Sequence, residues 1–255
     1  MDFVSNPNLP DKPVGLAVAG SCIGDSSVER LEGLGVKTLL MPPHSFLYDA
    51  VSSHPDMLLH HVGADIIVYA PETDEGLLDM LRLNGFKLLR GEKRLCARYP
   101  DDVAYNVARV GKYYFHNLKH TDRLLTELLN RRGIEPVHVE QGYSKCSVLT
   151  VDEQSLITTD AGIAKAAQKV GLDVLLAKCG SSIRLPGLNY GFIGGACGLI
   201  SKSICVVNGS LEKLDDSQAI VSFLSKRQIR VIELSDDFVT DVGSIIPLMS
   251  INTAT

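Results

Sequence analysis

The sequence predicts an α/β fold of five repeated units arranged as a ring, an α/β propeller with five-fold pseudosymmetry. Three observations support this prediction. Short segments of similar character recur at intervals of about 45 to 50 residues, the spacing of repeat folds. Most are followed by an apolar strand, a capped helix and a second apolar strand, and this alternation favours α/β over all-β. Residues 244–249 also have a strand pattern, which follows the fifth unit and is not needed to complete it.

Five opening segments mark the repeat, and they delimit its units. They read His54-Pro55-Asp56, Tyr99-Pro100-Asp101, Tyr143-Ser144-Lys145-Cys146, Asn189-Tyr190-Gly191-Phe192 and Asp241-Val242-Gly243-Ser244. The predicted units span residues 14–53, 54–98, 99–142, 143–188 and 189–240, with a closing strand at 241–250. We treat residues 1–255 as a single domain, since a closed repeat fold of this length is normally one body.

In the first two units the strands are apolar and the helices have capping residues. Predicted strands cover residues 14–19, 36–41, 64–70 and 86–90. Asp25 or Ser26 caps a first helix that ends at Leu34, and Thr73 or Asp74 caps a second that ends at Leu83. Glycine follows the second helix at residue 85 and supplies the left-handed exit that a helix end favours.

The last three units each combine a strand pair with a helix and a further strand. The predicted strands cover residues 107–110, 113–116, 136–140, 147–151, 156–158, 173–177, 199–201, 204–208 and 230–234. The predicted helices cover residues 121–132, 160–170 and 217–226. No segment before Val14 supplies an opening strand for the first unit. We therefore expect residues 244–249 to pair with that unit and close the ring, burying two edge strands.

Composition excludes several function classes. Apolar residues make up 45% and charged residues 22%, which is typical of a soluble protein with a full core. A net charge of -5 argues against a nucleic-acid partner. No apolar run approaches the roughly 18 residues of a membrane span, and the first residues lack a secretory signal pattern. The six cysteines include no Cys-x-x-Cys pair, so free thiols and a cytoplasmic location are expected.

The five strand–helix units with ring closure resemble the pentein fold of guanidine-modifying enzymes, which include arginine and agmatine deiminases, dimethylarginine hydrolases and amidinotransferases. The ribosome anti-association factor of archaea and eukaryotes has the same fold. The segments 141–147 (QGYSKCS) and 189–195 (NYGFIGG) resemble more closely an uncharacterised bacterial domain family of that fold. The resemblance covers nearly the whole chain from Val14 onward.

The resemblance implies guanidine chemistry, which requires particular residue types. Carboxylates hold the planar cation by paired hydrogen bonds, a cysteine thiolate attacks the central carbon, and a histidine moves protons. Asp56 and Asp101 occupy matching places in two opening segments, so we expect both carboxylates to face one cavity. His54 lies on the same face as Asp56 if that segment is extended.

One residue that the resemblance implies is absent. The nucleophilic cysteine of those enzymes lies in the last unit, but residues 241–248 contain no cysteine. Ser244 is present there, and an unassisted serine is a poor nucleophile. Cys146 is the only cysteine in an opening segment. Its neighbour Lys145 lowers the pKa of that thiol only if both side chains reach the same space, and adjacent strand residues usually point apart. A guanidine- or amidine-modifying hydrolase or transferase activity is therefore left open.

The leading prediction is a small-molecule site on the ring axis for a compact polar ligand, with a cationic or amidine ligand favoured by the acidic groups. Its predicted lining consists of His54, Asp56, Asp101, Tyr143, Cys146, Asn189, Tyr190 and Ser244. Asp56 and Asp101 are assigned to ligand recognition, His54 to proton transfer and Cys146 to a nucleophile. No metal and no other cofactor is predicted.

Structural interpretations remain open beside these assignments. Cys146 is either a buried small apolar residue or a functional thiol. Each X-Pro-Asp segment is also a common turn that the aspartate stabilises, and His54 can cap one. The tyrosines of the opening segments either pack or line a cavity. The adjacent His60 and His61 face opposite sides of a strand and are not expected to bind one metal ion. The glycine-rich residues 191–198 are expected to allow close backbone approach near the centre.

The alternative function is a noncatalytic interaction scaffold that uses the ring as a platform for a protein partner, as in the anti-association factor. The missing cysteine in the last unit favours this alternative, whereas the ionisable residues of the opening segments favour a ligand site.

Overall fold

The computed structural model describes residues 1–251 as five small β-sheets with helices packed beside them. The strands are β1 (Asp2–Phe3), β2 (Val14–Gly20), β3 (Lys37–Met41), β4 (Leu59–Gly63), β5 (Ile66–Tyr69), β6 (Lys87–Arg90), β7 (Ala108–Val110), β8 (Tyr113–His116), β9 (Glu135–His138), β10 (Val148–Asp152), β11 (Ser155–Thr158), β12 (Asp173–Leu176), β13 (Cys197–Ser201), β14 (Ile204–Val207), β15 (Arg230–Glu233) and β16 (Ile246–Ser250). The α-helices are α1 (Asp25–Gly33), α2 (Pro55–Leu58), α3 (Glu75–Leu83), α4 (Arg123–Arg131), α5 (Ser144–Ser147), α6 (Ala161–Lys169) and α7 (Ser217–Ser225).

The same three-strand pattern recurs in every sheet. Four sheets have the orders β4-β5-β6, β7-β8-β9, β10-β11-β12 and β13-β14-β15. In each, the first strand is antiparallel to the second, and the third is parallel to the second. A helix joins the two parallel strands, as a parallel crossover requires. The pattern fits the predicted five-fold repeat.

The remaining sheet has the order β1-β16-β2-β3 and brings together distant parts of the chain. β16 pairs antiparallel with β2, with Ile246 opposite Val18. The prediction that the residue 244–249 segment supplies the opening strand of the first unit is therefore confirmed. β1 covers the other edge of β16.

Contacts between the first strands link each unit to the next. The Arg109 guanidinium in β7 donates to the Val62 carbonyl of β4 at 3.0 Å, and Thr150 Oγ1 in β10 donates to the Arg109 carbonyl at 2.8 Å. β10 also contacts β13, and β13 contacts β16. The helical turn α2, which precedes β4, contacts β2. The first strand of each sheet therefore lies beside the first strand of the next sheet. The opening segments, which precede these strands in the sequence, come together at their ends.

The strand predicted at 64–70 is confirmed as β5, which is shorter because Ala64, with a φ of 52°, turns the chain between β4 and β5. One prediction about local structure is wrong. The opening segments at residues 55–58 and 144–147 are single helical turns, not extended strands. Pro55 occupies the first helical position, where its fixed φ suits a helix start.

The capping predictions are confirmed in part. Asp74 caps α3 by accepting the Leu77 amide at 2.8 Å, whereas α1 starts at Gly24 without a side-chain cap. Apolar residues fill the spaces between sheets and helices, with Tyr105, Tyr114 and Phe115 among the largest fully buried side chains. Among the described residues, no helix has the length and apolar character of a membrane span.

Candidate functional site

Four polar side chains meet in the interior, and each comes from the stretch of chain just before the first strand of a different sheet. Asp56 belongs to α2, Asn106 precedes β7, Cys146 belongs to α5, and Ser244 precedes β16. All four side chains are buried. These residues are up to 188 positions apart in the sequence, so the contacts depend on the arrangement of the sheets and not on local structure.

Asp56 is the centre of this cluster. Its Oδ2 accepts from Ser244 Oγ at 2.7 Å and from Cys146 Sγ at 3.1 Å. Its Oδ1 has no hydrogen-bond partner among the described residues. Burial raises the pKa of Asp56, although the nearby His54 and Lys145 partly offset this shift.

Lys145 reaches the same cluster from α5. Its Nζ donates to Ser244 Oγ at 2.8 Å, and its backbone amide donates to Asn106 Oδ1 at 2.8 Å. Burial lowers the pKa of Lys145, and Asp56 acts in the opposite direction. The expectation that Lys145 points away from Cys146 is wrong, since the segment is a helical turn and not a strand.

The Cys146 thiol is held as a neutral group. Burial is the main cause that raises its pKa well above the ordinary value, and the Asp56 carboxylate adds to the shift. Asn106 Nδ2 lies 3.0 Å from Sγ. A thiolate nucleophile needs a lowered pKa, so this environment does not activate Cys146 by itself.

His54 and Asp241 form a second buried pair beside Cys146. His54 Nδ1 lies 3.7 Å from Asp241 Oδ1, and neither ring nitrogen has a hydrogen-bond partner among the described residues. Burial lowers the pKa of His54. The Asp241 carboxylate accepts the amides of Phe192 and Gly243, each at 3.0 Å. Burial raises the pKa of Asp241 to about 6.

The glycine-rich segment before β13 makes room for this carboxylate. A Cβ atom on Gly195 would lie 1.9 Å from Asp241 Oδ1, and one on Gly194 would lie 2.3 Å from the Val148 carbonyl. The predicted close backbone approach near the centre is therefore confirmed.

A cavity of about 330 Å³ opens beside the cluster. His54, Cys146 and Asp241 contribute its ionisable groups. Much of the remaining lining is aromatic or amide in character: Tyr48, Tyr99, Gln141, Tyr143, Asn189, Tyr190 and Phe192. Tyr143 donates a short hydrogen bond to Asp102 and lies 3.3 Å from the Tyr48 hydroxyl. These bonds fix the position of its ring.

Most of the residues predicted from the sequence lie in or beside this cavity. His54, Tyr143, Cys146, Asn189 and Tyr190 line it. Asp56 and Ser244 lie in the buried cluster and are not among the lining residues.

Asp101 does not belong to the site, which corrects the expectation that it faces the same cavity as Asp56. Its side chain is 59% exposed, and its Oδ1 lies 3.6 Å from Lys93 Nζ. Asp101 lies in a loop well before β7, whereas Asp56 lies in α2, the turn that directly precedes β4. The two X-Pro-Asp segments therefore differ in their distance from the following strand, and Asn106 supplies the polar group from this unit.

Sequence reasoning missed three participants. Asn106 and Asp241 were not assigned to the site, and Lys145 was judged to face away. Asn106 carries a signal, because it is an amide side chain within the otherwise apolar segment 103–108. Asp241 lies in the last opening segment, and its place beside the glycine-rich segment depends on the three-dimensional arrangement.

The profile of a family of unknown function (DUF6873) matches residues 19–246. The chain has no significant match among curated protein sequences.

Solved structures of two amidinotransferases and an agmatine deiminase have a similar fold. The chain is similar to an amidinotransferase of the saxitoxin pathway from Microseira wollei, with a TM-score of 0.61, 13% identity and 98% coverage of both chains. An inosamine-phosphate amidinotransferase from Streptomyces griseus gives a TM-score of 0.61, 13% identity, and coverage of 100% of this chain and 98% of the other. A C. jejuni agmatine deiminase gives 0.57, 11% identity, and coverage of 92% and 90%. The predicted resemblance to the pentein fold is confirmed.

Proposed function

The chain belongs to DUF6873, a family of unknown function, and we propose that its cavity binds a compact polar ligand carrying a cationic guanidinium or amidinium group. The proposal depends mainly on one observation, the buried Asp241 carboxylate in a cavity with aromatic walls. A cavity of about 330 Å³ suits a small molecule and is close to the lower end of ligand pockets.

Two features of the cavity favour a cation. Asp241 is the carboxylate among the lining residues, and no Lys or Arg lines the cavity within residues 1–251. The rings of Tyr99, Tyr143 and Phe192 lie near one another, with centroid separations of 5.6 and 6.2 Å. Aromatic faces attract cations, and a planar guanidinium both stacks on a ring and donates paired hydrogen bonds to a carboxylate.

A reaction in this cavity would need a different nucleophile from that of the cysteine-dependent pentein enzymes. Ser244, in the segment where the resemblance implies a nucleophile, is fully buried and bonded to Asp56. Cys146 and His54 are the cavity residues suited to act as nucleophile and proton carrier, but the thiol is protonated in this environment. The proposal is therefore one of ligand binding first, with turnover dependent on activation of the thiol by the ligand.

We also infer that the five sheets close into a pentein-type propeller. The inference is supported by the chain of contacts from β4 through β7, β10 and β13 to β16, and by the pairing of β16 with β2. The cavity then lies at the end of the axis, where the opening segments meet. A cytoplasmic location, with neither nucleic acid nor membrane as partner, stays a prediction.

The test is a calorimetric titration of chelator-treated protein with methylguanidinium and with methylurea, its neutral analogue of similar shape. We expect methylguanidinium to bind and methylurea to bind at least about tenfold more weakly, because only the former pairs with Asp241. Asp241→Asn should remove this difference. Asp101→Asn is the matched control and should preserve it, since Asp101 is exposed outside the cavity. Equal binding of the two compounds, or no binding of either, would rule the proposal out.

A second candidate is a noncatalytic interaction scaffold. It is favoured by the apolar residues at the cavity mouth, where Leu188 and Tyr190 are 49% and 54% exposed. The protonated state of Cys146 is consistent with it. Failure of every compact cation to bind, together with a Cys146 that resists alkylation by iodoacetamide in the folded protein, would favour this candidate over the ligand site.

A further inference from the structure

Three buried side chains around the base of the cavity have the composition of a metal-ligand set. His54, Asp56 and Cys146 each offer one ligand atom, and these three atoms lie within 4.8 Å of one another. His54 is the N-cap of α2, Asp56 lies within α2 and Cys146 lies within α5, and each turn is followed directly by the first strand of a sheet. The set combines imidazole, carboxylate and thiol donors, which Zn²⁺ accepts together.

The hydrogen bonding of these side chains is incomplete in a way that an ion would complete. Neither ring nitrogen of His54 has a hydrogen-bond partner among the described residues, and neither does Asp56 Oδ1. Both residues are 1% exposed. A buried polar atom without a partner is destabilising, so several such atoms in one place indicate a missing partner.

We propose that His54, Asp56 and Cys146 bind a zinc-type divalent cation. Because His54 and Cys146 line the cavity and Asp56 lies beneath them, the fourth coordination position faces the cavity. Three protein ligands with one open position is the arrangement of catalytic zinc sites, where the fourth ligand is water or substrate.

Neighbouring groups support the three ligands. Asp241 lies 3.7 Å from His54 Nδ1, and a carboxylate beside one ring nitrogen is the usual support of a metal-bound histidine. Ser244 donates to Asp56 Oδ2 at 2.7 Å and Asn106 Nδ2 lies 3.0 Å from Cys146 Sγ. These two contacts orient Asp56 and Cys146 as metal ligands, and they leave Asp56 Oδ1 available to the ion.

Charge also favours a divalent ion. On metal binding the Cys146 S–H bond breaks, the thiolate sulfur bonds to the ion, and the proton leaves to solvent. The Asp56 carboxylate and the Cys146 thiolate then supply two negative charges as ligands, which one divalent cation neutralises.

This proposal goes beyond the small-molecule site and does not depend on it, because metal binding is measured without ligand. The experiment is a titration of the chelator-treated full chain with Co²⁺, followed by displacement with Zn²⁺. We expect one equivalent of Co²⁺ to produce thiolate-to-cobalt charge-transfer absorption and tetrahedral ligand-field bands, and one equivalent of Zn²⁺ to abolish them.

Variants identify the ligands. Cys146→Ser should remove the charge-transfer absorption, and His54→Gln should weaken Co²⁺ binding by about 100-fold or more while the thiol remains. Cys96→Ser and Cys179→Ser are the exposed and buried controls, and both should leave the spectrum unchanged. If Cys146→Ser fails to fold, His54→Gln still tests the site. Absence of the spectrum from the wild-type protein, charge-transfer absorption that survives in Cys146→Ser, or an unchanged Co²⁺ affinity in His54→Gln would overturn the proposal.

Discussion

At the scale of residues, the same three-residue pattern has two outcomes in this protein. Asp56 and Asp101 both follow a proline, but Asp56 is buried in the central cluster and Asp101 is exposed beside Lys93. The difference lies in the number of residues between each aspartate and the next strand. The X-Pro-Asp pattern therefore identified Asp56 and Asp101 as candidates. The number of residues between the aspartate and the following strand distinguishes the buried one from the exposed one.

Gly195 offers a sharp test of the space around Asp241. The Cβ atom of Gly195→Ala would lie 1.9 Å from Asp241 Oδ1, so the carboxylate must move and lose its bonds to the Phe192 and Gly243 amides. We expect the free energy of unfolding to fall by about 1 to 3 kcal/mol, measured by urea denaturation, with loss of methylguanidinium binding.

The matched control is Gly33→Ala at the end of α1, where an added Cβ meets nothing within 4 Å. This variant should be neutral or stabilising by up to about 1 kcal/mol, since alanine favours a helix over glycine. If Gly195→Ala behaves like Gly33→Ala, the described packing around Asp241 is incorrect.

Each site residue was predictable from the sequence only where its position in an opening segment and its local conformation were both recognised. His54, Cys146 and Ser244 were found because they lie in the opening segments. Asn106 was missed because it lies outside them, and Lys145 was misjudged because a strand was assumed where a helical turn occurs. Side-chain direction follows local conformation, so an error in one segment changed the predicted environment of the adjacent residue.

At the scale of elements, the helices differ in how they begin. Asp74, Asp122 and Asp160 cap α3, α4 and α6 by accepting the third backbone amide, whereas α1 begins at Gly24 without such a bond. The sequence offered a capping residue in both cases, but only the structure distinguishes a used cap from an unused one.

Cap removal tests this distinction. Asp74→Ala should lower the free energy of unfolding by about 1 kcal/mol, because the Leu77 amide loses its acceptor. Ser26→Ala at the start of α1, predicted from the sequence as a cap, should change it by no more than a few tenths of that. Thermal and urea unfolding of both variants provide the measurement, and equal losses would contradict the assignment of Gly24 as the N-cap.

At the scale of the whole molecule, buried histidines couple stability to pH. Burial lowers the pKa values of His60, His61 and His116 to about 3, 4 and 4, so all three are neutral in the folded protein. In the unfolded chain they titrate near 6.5. Their contribution to stability is complete above pH 6.5 and is lost as the pH falls toward 4, because the unfolded chain then binds more protons. Asp56 and Asp241, with raised pKa values, act in the opposite sense.

Comparison with one variant isolates the histidine effect. His116 contacts Thr121 Oγ1 at 2.8 Å and the Gly142 carbonyl at 2.9 Å, so His116→Gln should be less stable than wild type at pH 7.5. The difference should shrink by about 1.4 kcal/mol for each pH unit below 6.5, measured by urea denaturation at several pH values. A difference independent of pH would exclude a buried neutral imidazole at this position.

The overall architecture was predictable because the repeat is visible in the sequence as alternating strand and helix patterns. The pairing of β16 with β2 was predictable for a different reason, since one unit lacked a strand and the chain held a spare one. The cavity was less predictable, because its walls come from loops whose lengths vary between units. Tyr48 and Phe192 line it without a repeat position in common.

The pairing of β16 with β2 also has a consequence for biosynthesis. β2 emerges from the ribosome early, yet its antiparallel neighbour is translated only after residue 245. Until then the β2 edge has no partner, and Asp241 and Ser244 have not joined the interior. A polypeptide terminated before residue 241 therefore lacks both a sheet strand and two of the central polar groups. Proteolytic quality control would have an exposed edge to recognise, and the cavity assembles only once the chain has been translated through β16.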